Sequence, residues 1–153
     1  MNNTQTPMTA KEYLAQIRHI DQQIQNKLDR IRDLRALSQS ISVSFEQEPV
    51  THTRNVNVLP DSVIRVWEAE QELDRAIDYL VDLKAEAARL IDQIPDMDCR
   101  LILEGKYINL QSFQSIADGL HMSKQHVHRL HDSKALPMVD ALLRESMRHP
   151  YAQ

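Results

Sequence analysis

Along the first part of the chain, Leu14, Ile17, Ile20, Ile24, Leu28, Ile31, Leu34 and Leu37 recur at steps of three or four. That spacing gathers them on one face of a helix whose other faces are Gln, Asp, Arg and Lys. Thr9-Ala-Lys-Glu12 reads as a capping box, with Thr9 as the cap and Glu12 reaching back to its amide. The stripe predicts a helix of about 28 residues, roughly 42 Å long. Over residues 38–60 the pattern breaks. Ser38, Ser40, Ser42 and Ser44 alternate with Gln39, Ile41, Val43 and Phe45, and Pro49 and Pro60 bracket a polar stretch. A long loop is expected here, and the alternation also suits a short strand or hairpin arm. Asp61 or Ser62 is expected to start a second long helix. In it Val63, Val66, Leu73, Ile77, Leu80, Ala87, Ile91 and Ile94 take a and d positions of one heptad frame, interrupted by Glu70 and Lys84. Two such stripes cover each other most simply as an antiparallel, coiled-coil-like hairpin over residues 9–94. The second stripe exceeds what one partner helix covers, so a homodimer or higher oligomer is expected.

Pro95-Asp96 ends the hairpin and opens a C-terminal module, residues 96–147. Asp96 to Tyr107 is predicted to be a short helix burying Leu101, Ile102 and Leu103. Residues 112–136 read as two amphipathic helices around a tight corner, Gly119-Leu120-His121-Met122. Ser112 is placed to cap the first, whose apolar face is Ile116, Ala117 and Leu120, and the small Ala117 allows a close crossing. Ser123 is placed to cap the second, with Val127 and Leu130 inward and Lys124, Gln125, His128, Arg129 and Lys134 outward. Pro137 is expected to follow that helix, with a last short one over Asp140 to Met147. The whole is an all-α chain with a helix-turn-helix at its end.

A helix-turn-helix places its second helix in the major groove of double-stranded DNA. Lys124, Gln125, His128 and Arg129 occupy the exposed side of the first two turns, where Gln suits adenine and Arg or Lys suits guanine. Ser112, Ser123, His131 and Lys134 lie toward the ends, where phosphate contacts set register.

Composition agrees with an all-helical chain, since 2 glycines and 5% aromatics are too few for the turns and strands of a sheet. The single cysteine, Cys99, rules out an internal disulfide and fits a reducing cytoplasm. No signal-peptide pattern or membrane-spanning run is present, so a cytoplasmic protein without membrane contact is expected. The net charge of −4 is unevenly spread: residues 1–94 hold 11 Lys and Arg against 15 Asp and Glu, residues 95–153 hold 7 against 7. Within 119–136 Lys124, Arg129 and Lys134 face only Asp132, a modest patch that gains from being doubled in an oligomer. His121, His126, His128 and His131 raise a metal reading, but no Cys or carboxylate sits at a finger-like spacing, and no cofactor is expected. Without a phosphate-cradling glycine loop or nucleophile elbow, no enzymatic activity is expected.

The stretch RLILEGKYINLQSFQSIADGLHMSKQHVHRLHDSKAL resembles region 4 of the sigma-70 family, which reads the −35 promoter element. Tyr107, Ile116-Ala117, Leu120, Ser123, Val127 and Ala135-Leu136 carry the resemblance. The chain also resembles small prophage proteins of Gram-positive bacteria related to the ArpU and RinA late-gene regulators, through residues 9–37 and 96–136. These resemblances imply a phage or mobile-element transcriptional regulator that reads a promoter-like site. They bring in RNA polymerase as a further partner. Two alternatives stay open: a phage DNA-packaging recognition subunit, and a protein-interaction module that binds RNA polymerase or a host regulator without touching DNA.

Overall fold

The computed structural model describes residues 8–47 and 58–148, with side chains over 8–40 and 61–148. Among the described residues every element is helical: α1 (Ala10–Gln47), α2 (Val58–Ile91), α3 (Met97–Leu103), α4 (Phe113–Leu120), α5 (Lys124–Leu130) and α6 (Leu136–Arg148). Single π-helical turns extend α3 over Glu104–Ile108 and join α5 to α6 over His131–Ala135. The all-α expectation holds.

Of the loop expected over 38–60, residues 38–47 and 58–60 are helical, and residues 48–57 lie outside the described residues. Residues 38–47 continue α1 and form no strand or hairpin arm. No Gly or Pro stops the helix before Pro49, and the Ser40 hydroxyl donates back to the Leu37 carbonyl at 2.8 Å. The second helix begins at Val58, ahead of Asp61. Pro60 sits within its first turn, where a missing N–H leaves no helical bond unmade.

The chain divides into two compact units, one of residues 20–80 and one combining 8–19 with 81–148, so the division cuts both long helices rather than falling at Pro95. Within 20–80 the two helices run antiparallel. The Lys27 ammonium meets Glu72 at 3.0 Å, Arg35 pairs with Glu70, and the Ser38 and Ser62 hydroxyls are 3.3 Å apart. Ile24, Ile31, Leu73 and Leu80 are buried between them. The expected heptad frame holds in part: Leu73, Leu80, Ala87, Ile91 and Ile94 are buried and Ala69 and Ala76 half-buried, while Val63 and Ile77 are exposed, as are Leu28 and Leu37 of the first stripe.

In the other unit Leu14, Ile17, Leu83, Ala87, Ile91 and Ile94 are buried, as are Cys99, Ile102, Leu103, Val127, Ala135 and Val139. Leu101, expected inside, is exposed, because Ile102 and Leu103 take the inward face of α3. The capping box is formed: the Thr9 amide donates to Glu12 at 2.9 Å and the Glu12 amide to the Thr9 hydroxyl at 3.2 Å. The next amide, Ala10, donates to the Asp140 carboxylate of α6 at 2.6 Å. The start of α1 is thus tied to an element 130 residues away.

α6 starts earlier than expected and runs on from α5 without a break, with Pro137 inside the helical stretch. The π-helical turn makes this possible. It carries the Leu136 amide to the His131 carbonyl, and its wider path accommodates a proline that would kink a regular helix.

Candidate nucleic-acid interface

α4 and α5 meet over a core of Ile102, Ile116, Ala117 and Val127, with Phe113, Leu120, Met122 and Leu130 packed against it. Ile116 and Val127 supply the apolar surface, and fully buried Ala117 permits the close crossing. Both caps form as the sequence indicates. Ser112 accepts from the Ser115 amide and Ser123 from the His126 amide, each at 3.1 Å. The corner is a Schellman turn in which His121, not Gly119, takes the left-handed conformation, with φ 54° and ψ 38°. The Met122 amide donates to the Ala117 carbonyl at 2.9 Å and the His121 amide to that of Asp118 at 3.3 Å. Gly119 is an ordinary exposed residue of α4.

Lys124, Gln125, His128 and Arg129 all lie exposed on α5. The Arg129 guanidinium donates to His126 Nδ1 at 2.8 Å, which fixes its direction across one turn. The His128 ring lies against Phe113, centroid to centroid 3.9 Å. That contact ties the middle of α5 to the first residue of α4.

Two residues expected at phosphates have other partners. His131 belongs to the core, with 4% of its surface exposed, so its place among the phosphate contacts is corrected. Its Nδ1 lies 2.7 Å from the Asp132 carboxylate and its Nε2 2.9 Å from the Tyr107 hydroxyl. With Nδ1 donating to Asp132, Nε2 accepts the Tyr107 proton, and a neutral ring satisfies both bonds. Burial lowers the His131 pKa, with Lys106 and His128 nearby adding to the effect against the pull of Asp132. Burial likewise raises that of the Tyr107 hydroxyl. The signal was present in the sequence: Val127, His131, Ala135 and Val139 recur every four residues, and all four are buried.

Lys134 is exposed but bound to Asp96 at 2.5 Å. Asp96 also caps α3 by accepting from the Cys99 amide at 2.9 Å. Lys134, and then that amide, hold the Asp96 carboxyl down at about 2. The neighbouring Cys99 thiol is pushed up to about 11 by its burial and by Asp96, which keeps it protonated and unreactive.

Sequence reasoning passed over Gly105. A β-carbon there would lie 2.8 Å from the Gln111 side-chain oxygen and 2.9 Å from Ile116 Cγ1, so only glycine lets the π-helical turn touch α4. It also passed over Lys106, whose ammonium sits 4.3 Å above the Phe113 ring. Among the described residues no three His, Cys, Asp or Glu side chains converge as metal ligands would, and no helix is long and apolar enough to cross a membrane.

No curated protein and no solved structure matches the chain significantly. Residues 54–137, from just before α2 to the start of α6, match a family described as a protein of unknown function, DUF1492. That match spans more than half of the chain and takes in the whole α4–α5 corner, and the protein belongs to that family.

Proposed function

We propose that this protein is a DNA-binding transcriptional regulator of a phage or mobile element, working in the cytoplasm. α4 and α5 read a promoter-like site in double-stranded DNA, and the pair of long helices brings two or more copies together. One observation carries the reading: a capped α5, held across a sealed core, presents Lys124, Gln125, His128 and Arg129 to solvent on successive turns. Such a face suits base edges in a major groove. The sequence resemblance to sigma-70 region 4 and to the ArpU and RinA regulators supports the same reading and adds RNA polymerase as a partner. Self-association is supported by Val63, Ile64, Trp67 and Ile77, which stand exposed along α2.

Selection of bound sequences from a random duplex pool tests the base-reading role. Gln125→Ala and Arg129→Ala are expected to lose about 1–3 kcal/mol of discrimination at one position each. Binding with no sequence preference, unchanged in both variants, would remove it. Light scattering tests the assembly, with a dimer or larger species expected for the parent and a smaller one for Ile77→Glu. The binding of a protein rather than DNA is favoured by one observation: the Asp96–Lys134 pair removes a cation from an already modest basic face. In that case pull-down of RNA polymerase would survive the Gln125 and Arg129 substitutions while no duplex shifted.

A further inference from the structure

Among the described residues, Lys124 and Arg129 are the cations on α5 and the turn after it without a carboxylate partner, because Lys134 is held by Asp96. That is little charge for a protein that must grip a polyanion. A second group of cations adjoins the same face and comes from elsewhere in the chain. Lys106, in the π-helical turn after α3, places its ammonium 4.3 Å over the Phe113 ring. Beside it, His128 of α5 lies tilted against the same ring. Burial lowers the Lys106 pKa and the charge of Arg18 in α1 lowers it further, and the same charge opposes the rise that burial gives Tyr107, so Arg18 belongs to this neighbourhood. Among the described residues neither Arg18 nor Lys106 has a carboxylate within ion-pairing distance. Asp132, on the turn after α5, is bound to His131. Cations of one sign gathered without a counter-charge, half-buried in the case of Lys106, cost free energy until an anion joins them.

We infer that Arg18 and Lys106, beside His128 and the capped start of α4, form a second contact for DNA that grips a backbone phosphate next to the groove α5 enters. The inference rests on the DNA-binding reading and extends the contact surface to the first helix of the chain. Phe113 is its centre: it holds Lys106 by a cation–π contact and His128 by a tilted ring contact, so phosphate grip and base reading share one support. It also gives the tie between the Ala10 amide and Asp140 a purpose, because it holds the first turns of α1, and with them Arg18, within the C-terminal unit.

Fluorescence anisotropy of the full chain with a labelled 30-base-pair random duplex, titrated between about 50 and 200 mM salt, tests this. Each lost phosphate contact lowers the slope of log K against log salt by about 0.9, which amounts to about tenfold weaker binding at the low-salt end. Lys106→Gln and Arg18→Gln are each expected to show that loss, and Lys106→Arg is expected to keep the parent slope. Arg32→Gln, in the other compact unit, removes the same formal charge and is expected to leave the slope unchanged. Parent-like slopes in both Gln variants, or losses no larger than that of Arg32→Gln, would overturn the inference while leaving DNA binding intact. A parent that binds no duplex would overturn both. Arg18 is exposed, so Arg18→Gln decides the matter even where Lys106→Gln unfolds.

Discussion

Residues 81–148, with the first turns of α1, bury Ile102, Leu103, Val127 and Val139 completely, whereas among the described residues of 20–80 the buried ones are Ile24, Ile31, Leu73 and Leu80. The latter leave Leu37, Val63, Ile64 and Trp67 in solvent. Two antiparallel helices can hide only one stripe each, and α2 carries apolar residues around more than one stripe. The C-terminal unit has helices on several sides and closes around its core. Its polar ties are also of another kind. Tyr107–His131 is buried, and Asp96 and Asp140 each cap one helix, α3 and α1, while meeting another element. The long pair is joined by exposed ion pairs, Lys27–Glu72 and Arg35–Glu70, which contribute little each. One unit is built to hold a surface in place, and the other has apolar surface left to share.

The strongest way to break that contrast is core truncation. Ile102→Ala should cost about 2–5 kcal/mol in urea unfolding, since a methyl-rich side chain leaves a sealed core. Ile64→Ala should change stability by about 0.5 kcal/mol or less in dilute protein. A loss at Ile64 that grows with protein concentration would show a second chain covering it; a large loss at every concentration would mean that the long pair is as tightly packed as the C-terminal unit.

Next in size is the close approach at Gly105. An alanine must displace Ile116 or the Gln111 side chain, and Gly105→Ala should cost about 1–3 kcal/mol. A neutral result would mean that the contact between the π-helical turn and α4 yields easily, and that the support under α4 and α5 is softer than its burial suggests.

Acid sensitivity should also separate the two units. The buried His131 has a lowered pKa, so the fold favours its neutral ring. The stability this supplies is present above the ordinary imidazole value of about 6.5 and is lost as pH falls below it. Unfolding midpoints should therefore drop between about pH 7.5 and 5.5, and His131→Gln should flatten the dependence. An unchanged pH dependence in that variant would place the acid-labile group elsewhere. Asp96 acts in the same sense but lower, from about 4 toward about 2.

What the sequence disclosed follows from the range of each interaction. Thr9 with Glu12, Ser112 and Ser123 were legible because a cap and its amide are three residues apart. Ile116, Ala117 and Val127 were legible because helix period alone turns them to one side. The second heptad stripe was legible at Leu73, Leu80, Ala87, Ile91 and Ile94, which are buried, but size alone also put Val63 and Ile77 inside, and both are exposed. His131 was assigned to phosphate because its partner Tyr107 is 24 residues away, and Lys134 because Asp96 is 38 residues away. No local pattern exposes such pairs, although the four-residue stripe from Val127 to Val139 did mark His131 as an inward position.

The smallest expected effect has the opposite sign to the rest. Gly119 stands in the last turn of α4 at an ordinary helical angle, and nothing lies within 4 Å of where its β-carbon would be. The left-handed residue that would need a glycine is two positions on, at His121. Glycine at 119 therefore only adds freedom to the unfolded chain. Gly119→Ala should stabilise the protein by about 0.4–1 kcal/mol in urea unfolding. Because the position is exposed and lies on α4 rather than α5, duplex binding should be unaltered. A variant that is more stable yet binds more weakly would show that the corner must open for DNA, and that Gly119 serves that motion. A variant that is less stable would mean that α4 ends before Gly119, with Gly119 rather than His121 setting the angle between α4 and α5.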